Sequence, residues 1–189
     1  MKLFISGFLV LFSLFVIGQD KAEKEFRVKK KDVPAEAKKW FKDAFEGAGK
    51  VNWYYEESSG KGSYEAKLKY RGLDYSVEFD TTGKIEDIEV RQEWKYLPDE
   101  TKDNINNYFL SNYIKYKVLK IQKQYTGSPD NLEDLIDEDE TEGITIRYEI
   151  EFHGKTENEN ELWEGLFSTN GSLIKIRKIK MMPTNNLEF

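Results

Sequence analysis

Polar and apolar positions repeat with two different periods along this chain. From residue 34 to about residue 48, Ala37, Trp40, Phe41, Ala44 and Phe45 recur at i, i+3, i+4, i+7 and i+8, while Lys38, Lys39, Lys42 and Asp43 fill the other side. That spacing predicts a helix with one apolar stripe. Pro34 suits the first helical position, which needs no N–H donor. Glu36 complements the N-terminal dipole, and Gly47 and Gly49 end the run. The period then changes to two, predicting strands over residues 51–56, 63–71, 73–80 and 84–94. Tyr64, Ala66, Leu68 and Tyr70 share one face of the second strand, Tyr75, Val77 and Phe79 of the third, and Ile88, Val90 and Trp94 of the fourth. Glu65, Lys67, Lys69, Asp74, Glu78, Glu89, Arg91 and Glu93 fall on the opposite face. Arg71-Gly72 and Thr81-Thr82-Gly83 read as tight turns, with Gly83 suited to positive φ.

The plan then recurs. Pro98 opens a helix bearing Ile105, Tyr108, Phe109 and Tyr113, and strands are predicted over residues 115–125, 144–153, 162–168 and 172–181. Three blocks match in the same order. Val33-Pro34-Ala35-Glu36 matches Leu97-Pro98-Asp99-Glu100, Tyr64–Leu68 matches Tyr148–Phe152, and Phe79–Ile85 matches Phe167–Leu173. Ordered self-similarity of this kind argues for duplication. The expected fold class is α+β: two repeated modules, each a helix packed on an antiparallel four-stranded meander, sharing one long curved sheet. Both helices would lie on one face, and the charged face would meet water or a partner. Such a plan offers no deep cleft in which burial could raise a carboxylate pKa.

Residues 1–18 read as a signal peptide. Lys2 precedes an uncharged run over residues 3–17, and Val16 and Gly18 are small enough to direct cleavage before Gln19. That run is shorter than the roughly 20 residues of a spanning helix, so no stable membrane insertion is expected after cleavage. Residues 19–32 read as a charged linker, with Lys29-Lys30-Lys31 a solvated part of it. Modules follow over residues 33–95 and 96–183, and residues 184–189 form a tail. Residues 128–143 form an acidic insertion, read as a solvated, mobile loop, because residues 130–142 hold eight acids and no base. The chain has no cysteine, which excludes thiol catalysis, thiolate metal sites and a lipid-carrying cysteine. Its net charge of −6 argues against a nucleic-acid partner.

No catalytic constellation emerges, no catalytic residue is assigned and no cofactor is expected. His153, the one histidine, ends an alternating strand and reads as a surface residue. Abundant carboxylates leave an acid pair open by count alone. Asp137, Asp139 and Thr141 have the alternate spacing of a calcium loop, but Glu142 stands at its glycine position and no glutamate falls at its twelfth. Asp137 and Asp139 are thus weak calcium candidates. The leading expectation is a binding surface on the open sheet face, formed by Tyr54, Lys67, Lys69 and Arg91, where aromatic and cationic groups combine. A second surface is the pair of loops over residues 56–62 and 154–161.

Taken together, the leader, Val33-Pro34 and Leu97-Pro98 opening helices, Val51-Asn52-Trp53, the Tyr64–Leu68 and Tyr148–Phe152 strands and the Phe79–Ile85 and Phe167–Leu173 hairpins resemble the PepSY-like, β-lactamase-inhibitor-like proteins of bacterial envelopes. The resemblance covers nearly all of residues 31–181. It implies a tandem helix-on-sheet fold, a periplasmic or secreted location and no enzymatic activity. It also implies that the protein binds or restrains another envelope protein, such as a hydrolase, through the open sheet face. The chain departs from those inhibitors in lacking their cysteines and in presenting charges where exposed aromatics would serve as hot spots. A small-ligand or calcium sensor using the acidic insertion is the alternative.

Overall fold

The computed structural model describes residues 21–58 and 60–180; the predicted leader with its cleavage site, and the tail at 184–189, lie outside them. The elements run β1 (Lys21–Val28), α1 (Ala35–Ala44), β2 (Val51–Ser58), β3 (Lys61–Tyr70), β4 (Leu73–Asp80), β5 (Ile85–Arg91), α2 (Asp99–Asn112), β6 (Lys115–Thr126), α3 (Pro129–Glu138), β7 (Thr145–Lys155), β8 (Asn160–Ser168) and β9 (Leu173–Lys180). Each strand pairs antiparallel with the next, so nine strands form one sheet in sequence order. The β5–β6 ladder, from Ile88 opposite Tyr125 to Arg91 opposite Gln122, carries the sheet across the middle of the chain. The sheet curls until its ends touch. Lys21 pairs with Ile179 and Ala22 with Lys180, in parallel, and among the described residues these two pairs close the ring.

The helices cover one face. Ala37, Phe41 and Ala44 of α1 and Leu132, Leu135 and Ile136 of α3 pack with Trp53, Val77, Phe79 and Ile88 in one apolar cluster. Ile105 and Phe109 of α2 pack with Ile121, Ile150, Phe152 and Phe167 in a second. Aromatic rings fill both, with Phe41 against Trp53 at 5.4 Å and Phe109 against Phe152 at 4.6 Å between centroids. Each such side chain contributes about 1.5–3 kcal/mol of burial. Two turns lock helix to sheet. Gly83 (φ 96°) and Gly171 (φ 82°) both adopt the left-handed conformation. A Cβ at Gly83 would lie 2.8 Å from the backbone nitrogen of Ala37, and one at Gly171 would lie 2.5 Å from the carbonyl oxygen of Thr101. Only glycine lets each hairpin approach the first turn of its helix so closely. No helix among the described residues is long and apolar enough to cross a membrane.

Several expectations need correction. The charged linker is β1 followed by a short 3-10 turn, Lys30–Asp32; Phe26 and Val28 supply a period of two that the surrounding charges mask. The acidic insertion contains α3 rather than a loop. Ser128 caps it by accepting from the Asn131 N–H at 3.1 Å, Pro129 takes the first position, and Leu132, Leu135 and Ile136 give it a buried face. Both long loops shrink, because β2 runs to Ser58 before β3 begins at Lys61, and β7 runs to Lys155 before β8 begins at Asn160. Trp94 leaves the strand for a 3-10 turn, Trp94–Tyr96.

Candidate functional site

Period-two alternation sends the charged residues of β3–β8 to the face that no helix covers. The sequence predicts that this face meets water or a partner. Instead Glu65, Ser76, Glu89, Gln122, Glu149 and Glu164 are all buried on it. With no helix over them, only the curl of the sheet can exclude water, so this is the inside of the ring. The inner face is therefore polar and partly dry at once, and its groups must satisfy one another.

One side of the inner face does so by pairing. Lys67 meets Glu65 at 2.9 Å and Glu25 at 3.0 Å, and the Ser76 hydroxyl donates to Glu65. Burial opposes the Lys67 charge, but the two carboxylates outweigh it and raise its pKa above the ordinary lysine value. Lys67 also lies over the Tyr54 ring, 4.9 Å from its centroid. Across the sheet, Arg177 binds Glu164, and Lys120 binds Glu151 at 3.0 Å.

The centre behaves differently. Tyr54, Glu65, Glu78 and Asp87 fall in register across β2–β5, and Glu89 follows two residues after Asp87. One carboxylate oxygen from each of Glu78, Asp87 and Glu89 lies within 4.8 Å of the others. Gln124 donates to Asp87 at 3.2 Å. The Glu89 side chain, only 6% exposed, makes neither a hydrogen bond nor an ion pair among the described residues. Burial, then the charges of Asp87 and Glu56, push the Glu78 pKa well above the usual carboxylate range. Burial, then Glu149 and Glu78, do the same to Glu89, with Lys120 opposing. The expectation that no cleft could raise a carboxylate pKa is thus overturned, because a curled sheet makes an enclosure that a flat meander lacks. Chemically the trio can keep a proton to higher pH than free carboxylates do, or offer oxygen ligands to a hard cation. The weak calcium candidates lie elsewhere. Asp137 is exposed near the end of α3, and Asp139 is its left-handed C-cap (φ 58°).

The predicted binding residues gather at the β3–β4 end of the inner face. Lys67, Lys69 and Arg91 line one cavity of about 570 Å³, joined by Lys50, Lys120 and Gln122. Tyr54 sits beside it under Lys67 rather than in its wall. Lys69 pairs with the exposed Asp74 at 2.8 Å, and Arg91 donates to the Leu119 carbonyl at 3.3 Å. Lys50, Lys120 and Gln122 were not singled out from sequence. Lys120 and Gln122 lie on β6, whose register beside β5 is a long-range fact, and Lys50 stands in a connection with no period. The buried carboxylates Glu78 and Glu89 had one signal, their shared face, and none for its enclosure. His153 is exposed on β7, across from Leu162.

No protein-family model and no curated protein matches the chain. Solved structures do. A DUF2874 family protein from Bacteroides ovatus ATCC 8483 is 16% identical, with a TM-score of 0.54 over 77% of this chain and 87% of that one. A proposed periplasmic protein from Bacteroides eggerthii DSM 20697 is 13% identical, with a TM-score of 0.52 over 77% and 88%. A BLIP-like protein from Bacteroides fragilis NCTC 9343 overlaps more loosely, at 16% identity and a TM-score of 0.48 over 80% and 90%. At these identities the likeness is one of architecture, and what the chain shares with the DUF2874 and B. eggerthii structures is their fold.

Proposed function

We propose that this is a non-enzymatic binding protein of the bacterial envelope, built from two copies of a PepSY-like helix-and-four-strand module, that holds an acidic group of another envelope protein on the inner face of its sheet. The carrying observation is the convergence of Lys50, Lys67, Lys69, Arg91 and Lys120 on one cavity of about 570 Å³. Five cations there face two acids, Glu65 and Asp74, in a chain that is acidic overall. Complementary charge of this kind gives partner selection and on-rate more than raw affinity. The predicted leader and the periplasmic assignment of the B. eggerthii relative support the envelope location. The matching glycine turns against α1 and α2 support the duplication.

The test is affinity capture from envelope extract, comparing the wild type with Lys69→Glu/Arg91→Glu. Both residues are exposed, so the variant should keep its fold, checked by thermal unfolding. Lys67 is left alone because its ion pair holds the buried Glu65. A protein retained by the wild type and lost by the variant supports the reading. Identical retention on both columns refutes it.

A second reading, a calcium sensor, is favoured by the oxygens of Glu78, Asp87 and Glu89 lying within 4.8 Å of one another, and by a Glu89 side chain that makes no hydrogen bond or ion pair among the described residues. Thermal unfolding in millimolar calcium separates the two candidate sites. A gain in Tm abolished by Glu89→Gln assigns it to the inner face, and one abolished by Asp137→Asn/Asp139→Asn assigns it to α3. No gain ends this reading.

A further inference from the structure

A second cavity, about 860 Å³, opens between the C-terminal half of α1 and the ends of β1 and β2. Arg27, Lys29, Lys30, Lys38, Lys42 and Lys50 line it, against a single acid, Glu46. Arg27 donates to Asn52 Oδ1 at 2.9 Å. None of the five lysine side chains makes a hydrogen bond or ion pair among the described residues. This contrasts with the inner-face cavity, where Lys67, Lys69 and Lys120 are already paired with carboxylates. The C-terminal dipole of α1 accounts for Lys42. It does not account for Lys29 and Lys30, which a different element brings to the same place. Buried Phe41, Phe45 and Trp53 back the cavity, so it has a fixed wall rather than a mobile one.

The neighbouring backbone adds an independent observation. β1 pairs with β2 through residues 23–28, whereas β9 reaches only Lys21 and Ala22. Along residues 24–28 the outer edge of β1 therefore has no strand partner among the described residues. Phe26 lies on this stretch and is 49% exposed. An edge with no strand partner among the described residues is a template for a further strand, and this one leads straight into the lysine cavity through Arg27, Val28, Lys29 and Lys30.

We propose that the outer edge of β1 and the lysine cavity at its end form one site for an acidic peptide segment, which adds to β1 as a strand and lays its carboxylates among Lys29, Lys30, Lys38 and Lys42. Main-chain pairing supplies affinity and the lysines supply selection for acid. Lys50 borders both this site and the inner-face cavity, but Lys29, Lys30, Lys38 and Lys42 line this one alone, and the site does not depend on the inner-face cavity's function. Because the attraction is between exposed charges, binding weakens as salt rises.

Fluorescence anisotropy with the full chain tests this. The probe is a fluorescein-labelled decapeptide of alternating Glu and Val. The control probe alternates Glu and Pro, with the same charge but no N–H at every second position for a strand ladder. Saturable binding of the Glu-Val probe is expected, weakened about tenfold or more by Lys29→Glu/Lys42→Glu and unchanged by Lys69→Glu/Arg91→Glu. Little binding of the Glu-Pro probe is expected. Lys29 and Lys42 are exposed, and an unchanged Tm confirms that the reversed variant is folded. Equal binding of the two probes would overturn strand addition. No binding, or binding indifferent to Lys29→Glu/Lys42→Glu, would overturn the site.

Discussion

Each face of this sheet is shut away from water over part of its area, and by different means. The outer face is closed by three helices laid on apolar side chains. The inner face is closed by the sheet's own curvature over carboxylates. Desolvation stabilises the first, where Phe79, Phe109, Phe152 and Phe167 are fully buried. It penalises the second, where Glu78 and Glu89 are driven toward their neutral forms. The lesson is that burial is a geometric outcome, and the residues present decide whether it adds to stability or draws on it.

The outer face should break hardest. Phe79→Ala or Phe109→Ala removes a fully buried ring and leaves a cavity, costing about 3–5 kcal/mol in denaturant unfolding. A loss near 1 kcal/mol would mean that the helices repack easily. The inner face should respond in the opposite direction. Glu89→Gln keeps the shape and removes the charge, so Tm at pH 8 should rise by a few degrees.

A pH series sharpens the same contrast. The folded pKa values of Glu78 and Glu89 lie above the unfolded glutamate value of about 4.5, so the folded state holds more protons between those limits. Their contribution to stability therefore falls as pH rises from near 4.5 through the raised folded values, and levels off beyond them. Glu78→Gln/Glu89→Gln should flatten that slope. A slope equal to that of the wild type would show that the pair is not strained.

Smaller effects probe the borders of the two faces. Ser128→Ala removes the N-cap of α3 and should cost about 1 kcal/mol, measured by chemical denaturation. Lys69→Ala breaks an ion pair with both partners exposed and should cost roughly 0.2–1 kcal/mol, less in high salt.

The outer face was legible in the sequence. Ala37, Phe41 and Ala44 recur at helical spacing, and Val77 and Phe79 alternate with polar residues, because each signal is local. The inner face was legible only as a side. Period two places Glu65, Glu78 and Glu89 together, but their enclosure depends on strands far apart in sequence curling toward each other, which no window of residues encodes. β1 was hidden for a related reason. Its apolar positions, Phe26 and Val28, are too few to outweigh Lys24, Glu25 and Arg27, and it becomes a strand by pairing with β2. The α3 helix was readable from Ser128-Pro129 and the Leu132, Leu135 and Ile136 stripe, yet its acid count concealed it. Of the residues predicted to form a binding surface, Lys67, Lys69 and Arg91 line one cavity, which Lys50 and Lys120 enter through tertiary register.

The short seam between β1 and β9 bears on how the molecule assembles. Every other ladder joins strands that are neighbours in the chain, so the sheet can grow like a zipper from any hairpin, with little loop-closure entropy at each step. Among the described residues, only the pairing of Lys21 and Ala22 with Ile179 and Lys180 must wait for the whole chain. Two residue pairs are a small reward for so distant an encounter. The ring should therefore close last during folding and open first in the native state, with the amides of Ala22 and Ile179 exchanging with solvent long before those of the β6–β7 ladder.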